Sequence, residues 1–151
     1  MRDRRFVAQH RGGPLSKERH HQLTRWACDC AEHVLYLAGK DFDPQLTYAL
    51  EVAQAWQLGK ATVGDARKAS MEAIAAARES TNETITAVAR AVGHAVATAH
   101  MADHSLGSAW YGLKAVKSAG GSIGDERKWQ DRKLPPGIKE LVLTARKNRK
   151  V

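Results

Sequence analysis

The run from Ile85 to His104 constrains this chain more than any other feature. Alanine and valine dominate it, and it holds no proline and a single glycine, Gly93. Alanine is the best intrinsic helix former, and a helix that is apolar on several sides belongs inside a packed bundle. The pattern resumes through Leu106, Trp110, Leu113 and Val116 until Gly120-Gly121 ends it. Small side chains let neighbouring helices approach closely, which predicts an all-α, single-domain bundle.

The remaining sequence supplies further helices with their own start and stop signals. Ser16 is placed to cap a helix reaching about Ala38, with Glu18 in its first turn and a stripe of Leu23, Trp26, Ala27, Cys30, Val34, Leu35 and Leu37. Gly39-Lys40-Asp41-Phe42 breaks it. Asp43-Pro44 starts the next, striped by Leu46, Ala49, Leu50, Ala53 and Trp56 and stopped at Gly59. Thr62 caps a third helix to about Arg78, and Ser80 or Thr81 is the expected cap of the alanine-rich one. Gly120-Gly121-Ser122-Ile123-Gly124 reads as a linker to a short charged helix from Asp125 to Arg132 around Trp129. A turn at Leu134-Pro135-Pro136-Gly137 precedes a last amphipathic helix on Ile138, Leu141, Val142 and Ala145. The expectation is six or seven helices with short loops over 16–146, a basic arm at 1–15 and a basic tail at 147–151.

A chain of 151 residues buries a sizeable core without disulfides or metal. No apolar run approaches the roughly 20 residues of a membrane span, and no signal-peptide core follows the basic residues at the start, so a cytoplasmic protein is expected. Cys28 and Cys30 would point about 200° apart on a helix and do not bridge each other there. They read as free thiols of a reducing compartment and as small buried hydrophobes. The net charge of +8 is uneven. Residues 1–25 carry seven Lys/Arg against two Asp/Glu, residues 114–151 eleven against four, and residues 26–113 six against ten. Basic ends on an acidic body fit either a nucleic-acid or steering footprint or a solvated surface.

Chemistry is concentrated in 93–104, where His94, His100, Asp103 and His104 interrupt the apolar pattern. Buried rings need partners, so these side chains form either a hydrogen-bonded core network or a binding site. On one helix His100 and His104 are i, i+4 and about 40° apart, half of a zinc site, while His94 lies about 120° from His100 and does not converge with them. Cys28, Asp29, Cys30, Glu32 and His33 form a second cluster that would complete a divalent-metal set of Cys30, His33, His94, His100 and His104. The packing alternative has the rings donating to Asp29, Glu32 or backbone carbonyls of a facing helix. His100-Met101-Ala102-Asp103-His104 lacks the Glu that follows the first His of a zinc metalloprotease helix. No Gly-x-Ser-x-Gly elbow surrounds Ser105, and Gly120–Gly124 lacks the phosphate-loop lysine, so no catalytic residues are assigned. Trp26, Trp56 and Trp110 are expected in the core, and Trp129, among Lys128, Asp131, Arg132 and Lys133, is the candidate surface anchor. A nucleic-acid-binding role would use the basic ends, but no helix carries basic and amide side chains on one face and surface aromatics are few.

Several strings carry a family resemblance. Gly93–His104 with Ser105-Leu106-Gly107-Ser108-Ala109-Trp110-Tyr111-Gly112-Leu113-Lys114-Ala115-Val116 resembles the all-helical bacterial immunity proteins of polymorphic-toxin systems. Trp26-Ala27-Cys28-Asp29-Cys30-Ala31-Glu32-His33-Val34-Leu35 is similar to that family's opening helix. Gly64–Ala69, Ala75–Glu79, Glu126–Gln130 and Leu134-Pro135 are similar to its middle and end, over about 16–146 in all. The resemblance implies a non-enzymatic cytosolic protein, without a cofactor, that binds a cognate toxin and blocks its active site or substrate path. The polar edge around Asp29, Glu32, Asp103 and His104, with Trp129 as second anchor, is the expected contact. Immunity proteins that mimic nucleic acid are acidic. At +8, this chain instead uses its acidic middle or meets a toxin of another kind.

Overall fold

Helix α4 (Glu83–Ala97) is the centre around which the other helices pack, against α5 (His104–Ser118) and α3 (Val63–Glu79) most extensively and also against α1 (Lys17–Val34) and α2 (Pro44–Gln57). Nine of its Ala, Val and Gly residues are buried, as an alanine- and valine-rich helix inside a bundle requires. Helices α6 (Ile123–Arg132) and α7 (Pro136–Arg149) close the far side of α1 and α5. The computed structural model describes residues 2–40 and 42–149. Among them seven α-helices and no sheet build the all-α bundle the sequence predicts, with 3₁₀ turns at Arg4–Phe6, Gln9–Arg11 and Leu35–Ala38. Among the described residues no helix is long and apolar enough to cross a membrane.

Helix starts follow side-chain caps. Ser16, Asp43 and Thr62 each accept a backbone N–H, and Thr62 and Asp65 form a reciprocal capping box. Two starts differ from expectation. Asn82, rather than Ser80 or Thr81, caps α4 through Ile85 N–H at 3.0 Å, because Ser80 still ends α3 with its own N–H on Ala77 O. Ser122 caps α6, which therefore begins inside the expected linker. Of the break predicted at 39–42, Gly39 turns the chain at φ +85°, and Asp41 lies outside the described residues.

The alanine-rich run is not one helix. In a continuing helix Thr98 O would accept from Ala102 N–H. It accepts from His20 Nε2–H at 2.6 Å instead, and Thr98 Oγ1–H turns back to His94 O at 3.0 Å. The chain loosens over 98–103 and restarts at His104.

Two cores share the interior. One joins α1 to α4 through Ala, Val and Leu side chains. The other gathers Phe6, Leu15, Leu23, Trp26, Leu106, Ile138 and Val142, so residues 2–15 lie against the body, and Met1 lies outside the described residues. Lys147–Arg149 continue α7, and Lys150 and Val151 lie outside the described residues. Trp26 is buried and Trp56 half-buried, but Trp110 stands on the outer face of α5, 38 % exposed, and is not a core residue.

Candidate functional site

The break between α4 and α5 brings His94, which a straight helix would keep away from His100 and His104, against the His104 ring. His94 on α4 and His104 at the start of α5 set Nδ1 against Nδ1 at 2.9 Å. One must donate and the other accept, so the two neutral rings hold opposite tautomers, and a second proton would set N–H against N–H. The His100 ring lies 5.4 Å from that of His104, with its Nδ1 buried and unpartnered. His94 also stacks on Tyr111, ring centroids 5.2 Å apart. Gly107 makes the approach possible: a Cβ there would stand 2.6 Å from His94 Nδ1. Burial holds His94 down at about 4, helped by His104 and Arg90. Burial likewise lowers His100 and His104, and lowers His20 against its bond to Thr98.

Asp103 pairs with arginines rather than bonding to the rings. Arg2 Nε–H donates to its Oδ2 at 3.1 Å, and Arg149 Nη2 lies 3.9 Å from the same oxygen, so this carboxylate ties the first and last segments to the corner.

The 28–33 cluster is split by the helix that carries it. Cys28 and Cys30 are free and buried in different cores, and burial pushes both thiols up. Asp29 and Glu32 face α2, where Gln54 Nε2–H donates to Glu32 Oε1 at 3.2 Å. Burial raises both carboxyls, and Asp29 adds to the effect on Glu32. His33 points elsewhere. Its Nδ1–H donates to Glu126 Oε2 at 2.7 Å, and its ring stacks on Trp129 at 3.5 Å and 7°. The half-buried Trp129 is therefore part of a His33–Glu126–Trp129 lock between α1 and α6.

Of the rings expected to donate to Asp29, Glu32 or backbone carbonyls of a facing helix, His94 and His104 bond to each other and His100 Nδ1 has no partner. Outside that stretch His20 donates to a backbone carbonyl and His33 to Glu126. Asp29 and Glu32 contact α2, whereas Asp103 and His104 contact the chain ends and α4, so the expected surface lies in two places. Among the described residues no group of three or more His, Cys, Asp or Glu side chains is placed to hold a metal ion.

Glu126, Gln130, Arg146 and Tyr111 escape a reading of the sequence. The i, i+3 spacing of Glu126 and Trp129 does put carboxylate and indole on one face of α6, but nothing local says that His33 meets them. Gln130, fully buried, donates from Nε2 to Ala109 O at 3.1 Å and accepts from Arg146 Nη2–H at 2.7 Å, while its carbonyl accepts from Trp26 Nε1–H at 2.8 Å. Arg146 Nη1–H reaches Asp131 at 3.1 Å, and the guanidinium lies over the Trp26 ring.

These contacts define a small helical bundle whose ionisable side chains hold helices to one another. Residues 13–136 match the family described as Imm-5 like putative immunity protein, and the chain belongs to that family. No curated protein and no solved structure matches the chain.

Proposed function

We propose that this protein neutralises a cognate bacterial toxin by stoichiometric binding, covering the toxin's active site or substrate path without any turnover of its own. The family match over residues 13–136 carries the reading. The geometry supports it: several of the histidines and carboxylates singled out by the sequence are held by other side chains, as in His33 with Glu126, His94 with His104, Glu32 with Gln54 and Asp103 with Arg2. Catalysis by a general base would instead want such groups aimed into a cleft within reach of a substrate. No cofactor enters this reading, and the cytoplasm is its place of action, where Cys28 and Cys30 stay reduced.

The test is capture from the source organism's nuclease-treated lysate at moderate salt, with mass spectrometry of the bound fraction, followed by expression of the captured protein with and without this chain. The expected result is one partner at one-to-one stoichiometry that arrests growth alone and is harmless in its company. A partner equally harmless without the chain, or no partner from a lysate containing candidate toxins, would overturn the proposal.

A further inference from the structure

The outer edge of α4 and α5 carries a groove of about 620 Å³ that shares only Tyr111 with the histidine corner and no residue with the His33 lock. Arg90, Lys114 and Lys117 line it beside Tyr111, above a floor that includes Ala87, with Glu83 as the one acid among its lining residues. Arg90 Cζ stands 5.7 Å and Lys114 Nζ 5.6 Å from the centre of the Tyr111 ring, and Lys114 Nζ is 5.7 Å from the exposed Trp110. Four arginines outside the groove, Arg2, Arg5, Arg146 and Arg149, each lie within 4.0 Å of an aspartate. Arg90, Lys114 and Lys117 have no carboxylate within that distance among the described residues. All three are exposed.

We infer that this groove docks an acidic segment of a protein partner, the toxin of the reading above, on which the inference rests. The argument is complementarity of charge. Three cations against the single carboxylate of Glu83, two of them positioned against an aromatic ring, present a net positive field that further carboxylates neutralise. Trp, Tyr and Arg are also the residues that dominate protein–protein hot spots, and Trp110 and Tyr111 flank the cations here. A nucleic acid fits less well. Its bases would need open aromatic faces, and Tyr111 is already engaged by His94, Arg90 and Lys114. The groove also accounts for a positively charged immunity protein: the acidic partner, rather than this chain, supplies the negative surface.

The experiment follows the anisotropy of a labelled peptide of repeating glutamate and leucine mixed with the full chain. Arg90→Gln with Lys114→Gln is compared with Lys128→Gln with Lys139→Gln, an equal loss of charge on α6 and α7. Wild-type melting by circular dichroism is required of both. The expected result is that the groove pair weakens binding about tenfold or more while the matched pair stays within about twofold. Equal losses in both pairs, or no binding of the peptide by wild type, would overturn the inference. So would groove-dependent binding of labelled polyuridine in place of the peptide, or loss on Glu32→Lys with none in the groove pair. The broader reading fails separately: a groove that binds the peptide in a chain that protects no cell from a toxin would reject the toxin and keep the acidic-segment site.

Discussion

A Cβ at Gly107 would come within 2.6 Å of His94 Nδ1 and 2.9 Å of its Cγ, both atoms of a ring that cannot bend aside. Gly107→Ala would gain about 1 kcal/mol in helix propensity. Overpacking of this kind costs about 1–3 kcal/mol, and here it also breaks the His94–His104 bond, so a net loss of stability is expected in urea unfolding. A more stable variant would show that the ring has room. The same corner makes stability depend on pH. His94 holds its proton only below about 4 in the fold, against an ordinary value of 6.5, because it is buried beside His104 and Arg90 while Asp103 pulls only weakly the other way. The unfolded chain thus binds more protons between those values, and stability is complete above about 6.5 and falls as the pH drops toward 4. Allowing for water at the ring's open edge, His94 contributes about 2 kcal/mol to that fall. His94→Gln should flatten the slope of unfolding free energy between pH 7 and 4.5, and an unchanged slope would remove His94 as its source. In the sequence, polar rings in an apolar run announce a network and i, i+4 spacing pairs His100 with His104, but helical spacing leaves His94 apart, since its meeting with His104 depends on a turn that spacing does not encode.

That turn belongs to the scale of elements. Six residues, 98–103, separate α4 from α5 without glycine or proline, and local propensity alone continues the helix through them. His20, seventy-eight positions away, takes the Thr98 carbonyl instead and packs its ring 5.0 Å from Trp56. Replacing it with Leu leaves that buried carbonyl without its partner, which costs about 1–3 kcal/mol. Faster amide hydrogen exchange across 98–104 should accompany the loss. Unchanged exchange there would mean that the break has another cause. Starts set by neighbouring residues, such as Ser16, Asp43 and the Thr62–Asp65 box, are legible because cap and helix adjoin in sequence. Ser80, Thr81 and Asn82 are all good caps, and only the end of α3 decides among them. The candidate groove is hidden in the same way: Arg90 and Tyr111 lie on different helices, and only the packing of α4 on α5 brings them to one edge.

At the scale of the whole molecule, α6 and α7 carry few buried apolar side chains of their own, yet they close the second core. Buried polar groups hold them there. Gln130 bonds at once to α5 through Ala109 and to α7 through Arg146, and its carbonyl receives the Trp26 indole of α1. Gly112 gives Gln130 its place, with only 3.2 Å between an added Cβ and Nε2. The apolar stripes of Ile138, Val142 and Ala145 announce that the last helix packs on something, while the choice of partner lies in contacts as distant in sequence as Arg5 with Thr144, 139 positions apart. Such a network stabilises only while it is complete, because a buried acceptor that loses its donor keeps its desolvation penalty. Arg146→Met should therefore cost about 2–3 kcal/mol by stranding Gln130 Oε1 and uncovering Trp26. Adding Gln130→Leu removes the stranded acceptor and leaves the Trp26 bond, which uses the backbone carbonyl, intact. If the polar lock rather than apolar packing positions α7, the double variant should be more stable than Arg146→Met alone by about 1 kcal/mol, as a double-mutant cycle would measure. Strictly additive losses would mean that Gln130 and Arg146 act independently, and that the apolar stripe alone docks the helix.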